Sequence, residues 1–130
     1  MSNAPKIKRE QGQTMAEFTF VLPILVALVF GIIQFGITFN NYVTLTDAAR
    51  AGARKAVVSR DDSDPAGECA DQVRSSASDL TQASLTVTCT STWKGGDDVQ
   101  VEADYPYDIN IFGFVVKSGT LKTVMKERIE

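Results

Sequence analysis

The side chains that could take part in covalent chemistry are two cysteines, Cys69 and Cys89, the only ones in the 130-residue chain. Both follow a long apolar stretch near the N-terminus. An even pair of cysteines in a small exported domain is typical of a disulfide, because thiols become oxidised outside the cytoplasm. Two reduced thiols in the core of a cytosolic protein are the alternative. The sequence therefore predicts a disulfide between Cys69 and Cys89, provided that the domain is exported.

The rest of the composition offers little to an enzyme. The chain contains no histidine, which excludes a Ser-His-Asp triad, a histidine general base and any histidine-containing metal site. Asp61, Asp62 and Asp64 suggest a calcium loop, but the downstream Gly and Glu of an EF-hand are missing, so we interpret them as a solvated loop. A net charge of -3 without a basic stripe argues against nucleic-acid binding. The sequence predicts no catalytic activity, metal, cofactor or nucleic-acid partner.

Glu17 stands at the start of an uncharged apolar stretch. Residues 18–39 carry no charged side chain, and a helix needs about 20 apolar residues to cross a bilayer. A carboxylate at mid-membrane costs roughly 2.5–3.5 kcal/mol on insertion scales. Glu17 must therefore either stay hydrated in the headgroup layer or find a cation. Lys8 and Arg9 lie about a helix pitch or more upstream, which favours a cation from another molecule.

The charges that flank the apolar stretch predict its orientation. Lys6, Lys8 and Arg9 precede it, whereas the first charges after it are Asp47 and Arg50. The positive-inside rule then leaves the N-terminus in the cytoplasm and the C-terminal domain outside it. A cleaved secretory signal peptide is the alternative. It fits less well, because the apolar stretch is longer than a usual signal core and the nearest small-residue site lies well beyond its end.

The residues around Glu17 form a motif. Residues 12–18 read GQTMAEF, follow Lys8 and Arg9, and lead into the apolar stretch. This arrangement resembles the cleavage site of type IV prepilins and pseudopilins. Four further segments are similar to the TadE-like pseudopilins of tight-adherence (Flp) pilus systems: VLP at 21–23, GIIQFG at 31–36, DAARAGAR at 47–54 and YPY at 105–107.

The resemblance implies a cleavage and an assembly contact. A prepilin peptidase would cut between Gly12 and Gln13, so that residues 1–12 are a basic leader and Glu17 is the fifth residue of the mature chain. Position 13 is often aromatic or aliphatic in pilins and is Gln here. The fifth-position Glu of pilins is thought to neutralise the N-terminal amine of a neighbouring subunit. We therefore expect Glu17, together with Phe18 and Pro23, to act in assembly, with a local bend at Pro23.

A single long helix is predicted to carry the apolar stretch and the start of the exported part. Beyond Phe39 the sequence is rich in alanine and free of proline, so the helix covers residues 13–57 with the membrane span at 18–39. In the exported domain, residues 58–130, Asp64 can cap a second helix that has Pro65 at its first position. Apolar side chains at helical spacing predict its buried face: Ala66, Cys69, Val73, Ala77 and Leu80.

Three strands are predicted to follow. Two stretches of alternating residues flank a turn at 94–97 and form an antiparallel hairpin, in which Pro106 ends the pairing. A final strand runs from Leu121 to about Arg128. The predicted inward residues are Leu85, Val87 and Cys89, then Val99, Val101, Ala103 and Tyr105, and finally Leu121, Thr123 and Met125. The fold class is therefore α+β, a long N-terminal transmembrane helix followed by a short helix and a three-stranded antiparallel sheet.

Residues 109–116, INIFGFVV, do not fit this scheme easily. They are too short to span a membrane and too apolar for a free loop. Three kinds of cover remain open: the bilayer surface, a neighbouring subunit, or the domain's own sheet.

The resemblance implies a structural role. We expect a minor pseudopilin that helps to initiate or complete a tight-adherence pilus. Its partners would be other pilin and pseudopilin subunits, the prepilin peptidase, the pilus assembly platform with its ATPase, and the lipid bilayer. It would be a single-pass protein of the cytoplasmic (inner) membrane with its C-terminal domain outside the cytoplasm, and would enter the extracellular fibre on assembly. A major pilin, or a non-polymerising membrane-anchored binding domain, is the alternative.

Overall fold

The computed structural model describes the backbone of residues 7–130 and the side chains of residues 12–130. Most of the predicted leader, including Lys6 and the side chains of Lys8 and Arg9, lies outside the described residues. The described chain forms a long helix, a short helix, one 3-10 turn and a three-stranded sheet. The α+β prediction is confirmed.

Helix α1 covers Ile7–Val58, which is 52 residues or about 78 Å at 1.5 Å per residue. It begins before the predicted start at Gln13 and continues through Pro23. The predicted bend at Pro23 stays a prediction. Helix continuity beyond Phe39 follows from the run of good helix formers, with alanine at four buried positions facing the domain.

Helix α2, Pro65–Ser76, begins as the sequence predicts. The Asp64 side chain accepts a hydrogen bond from the backbone N–H of Gly67 at 2.9 Å, and Pro65 occupies the first helical position. Proline is tolerated there because its missing N–H would have no intrahelical partner. The helix ends at Ser76, and a 3-10 turn at Gln82–Ser84 leads into the sheet.

The sheet contains β1 at Thr86–Thr90, β2 at Asp98–Ile111 and β3 at Phe114–Arg128, antiparallel and in the order β1-β2-β3. The pairing of β1 with β2 stops at Asp104, before Pro106 as predicted, but β2 itself does not end there: Pro106 pairs with Thr120 of β3, and the strand continues to Ile111. The reason is the length of β1. Its first residue, Thr86, pairs with Asp104, so β2 has a free edge at Pro106, and an edge tolerates a missing N–H.

The end of the β2–β3 hairpin also differs from the prediction. We predicted a third strand only from Leu121 and assigned residues 109–116 to no element, but β3 begins at Phe114, and only Phe112 and Gly113 separate the strands. The two strands pair from Asp98 with Arg128 to Ile111 with Phe114. Beyond β1 the sheet is therefore a two-stranded ribbon that projects from the domain.

The core lies between the C-terminal third of α1, helix α2 and the base of the sheet. Predicted inward residues form much of it: Cys69, Val73, Leu85, Val99, Val101 and Ala103, with Ala77 and Leu80, which lie just beyond the end of α2 rather than on it. Ile129 and one face of α1 complete the core: Leu45, Ala48, Ala49, Ala53 and Ala56. The alanines keep the surface of α1 shallow, so α2 and the sheet pack close to its axis. The N-terminal part of α1 contributes nothing to this core.

Candidate membrane anchor and assembly surface

The first described turns of α1 hold the predicted cleavage and assembly residues. Gln13 Nε2 donates to Glu17 Oε1 at 3.2 Å, one helical turn apart, and both side chains are exposed. Among the described side chains, no cation lies within ion-pair distance of Glu17. The carboxylate thus faces outward, accepts a hydrogen bond from the Gln13 amide and is open to a charged partner.

The bond between Gly12 and Gln13 lies in helical backbone. A protease binds its substrate in an extended conformation, so the helix would have to open at this point before cleavage. Such opening costs least near a helix end, where several backbone groups have no intrahelical partner. The Cβ of a larger residue at Gly12 would meet no atom within 4 Å, so the fold itself does not require glycine at this position.

The apolar stretch contains no buried residue, and most of its side chains are exposed. The helix is long and apolar enough to cross a membrane, and none of its most apolar window is buried. A core helix of a soluble protein would be mostly covered. Large apolar side chains are uncovered along its length, including Phe18, Leu22, Ile24, Leu25, Leu28, Val29, Phe30, Ile32, Ile33, Phe35, Ile37 and Phe39. So large an apolar surface requires lipid or protein around it.

Three polar residues at the C-terminal end of the apolar stretch and just beyond it lie on one face of α1. Gln34, Thr38 and Asn41 are half-buried, whereas the large apolar residues around them are exposed. Their spacing of four and three residues places them on the same side of α1 as Phe30 and the buried Leu45. That side faces the projecting β2–β3 hairpin. Between residues 18 and 39, the exposed sides of the helix are therefore apolar except at Thr19.

The hairpin tip contacts the apolar part of α1. The rings of Phe30 and Phe112 pack with their centroids 5.1 Å apart, tilted by 51°. Phe112, Phe114, Val115 and Val116 remain exposed. The tip and the apolar half of α1 therefore form one continuous apolar surface. The sequence prediction left the cover of residues 109–116 open, and the structure shows that only a small part of it comes from the chain itself.

The two cysteines are joined. Cys69 Sγ and Cys89 Sγ are 2.03 Å apart, and the bond connects α2 to β1 across 20 residues. Cys69 is completely buried, and Cys89 is half-buried beside the core. The disulfide lies in the domain, far along the chain from Glu17, so it stabilises the domain and takes no part in the N-terminal motif.

Sequence reasoning placed Gln13, Glu17, Phe18 and Pro23 on one helix, with Gly12 at the end of the leader before it, but missed the hairpin tip. Two signals were available. Phe112-Gly113 lies between β-branched residues, which is a weak form of a two-residue hairpin signal. The spacing of Gln34, Thr38 and Asn41 marks a covered face within an otherwise apolar helix.

Comparison with known proteins bears on the N-terminal third. The model of the family described as TadE-like protein matches residues 12–54. No curated protein and no solved structure matches the chain. The matched segment contains the Gly12–Glu17 motif, the apolar stretch and the alanine-arginine segment, so the resemblance noted from the sequence is confirmed there. Residues 55–130 lie outside the match.

Proposed function

We propose that this chain is a Tad pilus-associated protein and a structural subunit of the pilus; the match of residues 12–54 to the TadE-like family supports this. Its specific role is that of a minor pseudopilin that helps to initiate or complete the fibre. The observation that carries this proposal is the exposed apolar half of α1, which begins directly after Glu17.

The exposed half of α1 suits both stages of such a role. In the membrane, lipid covers the apolar side chains. In the fibre, the helices of neighbouring subunits replace the lipid, so the apolar surface is never left in water. The polar face under the hairpin agrees with both stages, because Gln34, Thr38 and Asn41 lie away from the sides that contact lipid or neighbouring helices.

Cleavage of the leader creates the cation that pairs with Glu17 in this proposal. Hydrolysis of the peptide bond between Gly12 and Gln13 leaves a carboxylate on Gly12 and a new ammonium group on Gln13. A carboxylate entering an apolar layer is stabilised by such a cation. In this proposal the ammonium group of a neighbouring subunit binds Glu17 as the helices come together, and Phe18 and Pro23 lie beside that contact.

The partners follow from this route. A prepilin peptidase removes the leader, and other pilin and pseudopilin subunits pack against α1. The assembly platform and its ATPase lift the subunit out of the cytoplasmic membrane. The positive flank of Lys6, Lys8 and Arg9 supports a cytoplasmic N-terminus and, with it, a domain outside the cytoplasm. The role is structural rather than enzymatic.

N-terminal sequencing of the membrane-extracted protein tests the processing step. We expect the mature chain to begin at Gln13, and we expect Gly12→Val to retain the leader, because a β-branched residue hinders entry of the extended chain into the protease. An intact leader in the wild-type strain would contradict the proposal and favour a membrane-anchored binding domain that never polymerises.

Glu17→Gln tests the assembly step separately. The variant keeps the size of the side chain and loses the charge, so we expect normal cleavage but strongly reduced recovery in sheared pili. Asp61→Ala is the matched control, since it removes an exposed carboxylate from a domain loop. Equal pilus recovery for Glu17→Gln and wild type would contradict the assembly role. Fibres made chiefly of this polypeptide would identify it as a major pilin instead.

A further inference from the structure

The β2–β3 hairpin tip lies beside a part of α1 that the proposed function places inside the bilayer. Phe30, which packs on Phe112, is 13 residues after Glu17 and hence about 20 Å along the helix axis. With a hydrocarbon core about 30 Å thick, Phe30 lies about 10 Å below the boundary on the domain side. Lipid that covers α1 at this level must also surround the tip.

We propose that the tip of the β2–β3 hairpin is a second membrane element of this protein, which inserts among the acyl chains of the leaflet on the domain side. The tip is defined by residues 109–116. This inference rests on the proposed function, because it requires α1 to span the bilayer. It goes beyond that function by assigning a membrane contact to the exported domain.

The charges on the hairpin agree with this depth. Asp108 and Lys117 are the first charged residues on either strand, each three residues from the end of its strand at Ile111 or Phe114, and therefore about 10 Å above the tip. That distance equals the estimated depth of Phe30 below the membrane boundary. Both charges thus reach the headgroup layer while the uncharged residues beyond them enter the acyl chains.

Tyrosines lie at the same boundary. Tyr107 precedes Asp108, and its ring lies across Gly119, where an added Cβ would be 2.9 Å from the ring carbon Cε1 and 2.9 Å from the hydroxyl oxygen Oη. Tyr42 follows the apolar stretch of α1 by three residues and is 41% exposed. Tyrosine is enriched where a membrane protein meets the interface between lipid and water. The hairpin and the helix therefore carry the same interfacial residue near the same level.

The turn holds a phenylalanine at a position whose backbone conformation disfavours bulky side chains. Phe112 has φ 51° and Gly113 has φ 83°, as in the type I′ turn that favours Asn-Gly. A bulky residue is unfavourable in this left-handed conformation. Phenylalanine here is difficult to explain by turn stability, whereas an apolar ring at the deepest point of an inserted hairpin has an evident use.

The open edges of the hairpin set a limit to insertion. Lipid cannot pair the outward N–H and C=O groups of a two-stranded ribbon, and each unpaired group is costly there. Only the residues beyond Asp108 and Lys117 are free of charge, so few backbone groups enter the acyl region. The inserted part is therefore the tip and not the whole ribbon.

Depth-dependent fluorescence quenching of the full chain tests the proposal. Single cysteines carrying an environment-sensitive fluorophore are placed at Val115 on the tip, at Ile32 on α1 and at Val58 beside the domain, where the native residue is 82% exposed. Both native cysteines are in the disulfide and do not react. The protein is reconstituted at low density in phosphatidylcholine–phosphatidylglycerol vesicles, so that contacts between copies are rare.

We expect nitroxide-labelled lipid to quench the probes at positions 115 and 32 to a comparable extent, and aqueous iodide to quench only the probe at position 58. Iodide quenching at 115 together with lipid quenching at 32 would overturn the inference and leave the anchor intact. Protection at 115 from both quenchers would mean that protein covers the tip, which also overturns it. A probe at 32 that lipid does not quench would overturn the proposed anchor as well.

Phe112→Asn provides a variant that keeps the fold. Asn-Gly suits the turn better than Phe-Gly, so the hairpin forms while the apolar ring is lost. We expect weaker lipid quenching and stronger iodide quenching at position 115 in this background, with no change at position 32. Unchanged quenching at 115 would overturn the assignment of Phe112 to insertion.

Discussion

At Gly52, helix α1 approaches helix α2 so closely that a side chain would collide with it. A Cβ at this position would lie 2.2 Å from Val73 Cγ2 and 3.2 Å from the carbonyl oxygen of Cys69. Valine has one strongly preferred rotamer in a helix, and the carbonyl belongs to the α2 backbone, so neither atom moves aside easily. The glycine therefore sets the distance between the two helices on which the core is built.

Gly52→Ala is expected to destabilise the domain despite the better helix propensity of alanine. Overpacking costs about 1–3 kcal/mol, and replacing glycine in a helix returns up to about 1 kcal/mol. The net loss should show as a lower thermal midpoint in mild detergent, followed by circular dichroism. Gly36→Ala is the matched control, because an added Cβ there meets no atom within 4 Å. Equal midpoints for the two variants would contradict the close approach.

Lys122 gives the exposed face of the sheet a weak dependence on pH. It forms ion pairs with Glu102 and, at 3.9 Å, with Asp104. The hydrogen bond to Glu102 and the charges of both carboxylates raise the pKa of Lys122 above its ordinary value. A raised pKa means that the stabilisation is complete below the ordinary lysine pKa of about 10.4 and is lost as the pH rises through the folded-state value.

We therefore expect Lys122→Met to differ from wild type mainly at high pH. Above about pH 10 the thermal midpoint of wild type should fall toward that of the variant. Across the neutral range the difference between the two midpoints should stay constant. Thermal midpoints of both proteins over this pH range measure the difference directly. A difference that already changes near neutral pH would contradict the pairing.

At the scale of elements, the sequence predicted those parts of the fold that depend only on short-range residue patterns. The cap at Asp64 and the alternation around Val87 and Val101 each follow from a rule about neighbouring residues. Pro106 misled the prediction of where β2 ends, because its effect depends on where β1 ends, which is a property of the sheet and not of the segment. A Phe-Gly turn likewise lacks the residue types that mark a hairpin, so the long ribbon was missed.

The candidate site shows the same contrast between features that a local pattern predicts and features that depend on the fold. Glu17 and the apolar stretch were found because their chemistry is local: a carboxylate followed by an uncharged run of membrane length. The covered face of α1 was not found, because Gln34, Thr38 and Asn41 acquire their meaning only from the hairpin that lies over them. That contact joins residues about 80 positions apart in sequence, and no local pattern specifies it.

Removal of the disulfide is expected to destabilise the domain substantially. In the chain-entropy model, closing a loop of 20 residues contributes about 3 kcal/mol. The Cys69→Ala/Cys89→Ala double variant should show a correspondingly lower free energy of unfolding than wild type. The difference should vanish when both proteins are measured in the presence of a reductant. A reductant that leaves the wild-type stability unchanged would show that the bond is not formed in the native protein.

At the scale of the whole molecule, one helix serves two environments. Its N-terminal part exposes large apolar side chains and suits lipid or neighbouring helices. Its C-terminal part, from Leu45 to Ala56, supplies the alanine-rich face that packs into the core of the domain. Because one rigid helix connects the two parts, a displacement of the membrane part along its axis is transmitted to the domain without deforming the core. Such a connection suits a subunit that is lifted from a membrane into a fibre.

This division predicts that residues 41–130 fold without the membrane part. All buried apolar residues of the core lie between Leu45 and Ile129, and the disulfide lies within the fragment. We expect a soluble monomer with cooperative unfolding. In hydrogen exchange the amides of residues 99–103 should be protected, whereas residues 107–116, having lost their contact with Phe30, exchange fast. Aggregation or non-cooperative unfolding would show that the apolar half of α1 belongs to the core.

Two variants of the same fragment separate the core from the tip. Leu45→Ala should lower the free energy of unfolding by about 2–5 kcal/mol, because Leu45 is completely buried where α1 enters the core. Phe112→Asn should leave the core stable and increase solubility, because it removes an exposed aromatic ring from a tip that the truncation has uncovered. If both variants had the same effect, the ribbon and the core would be one cooperative unit and α1 would not divide the molecule at residue 41.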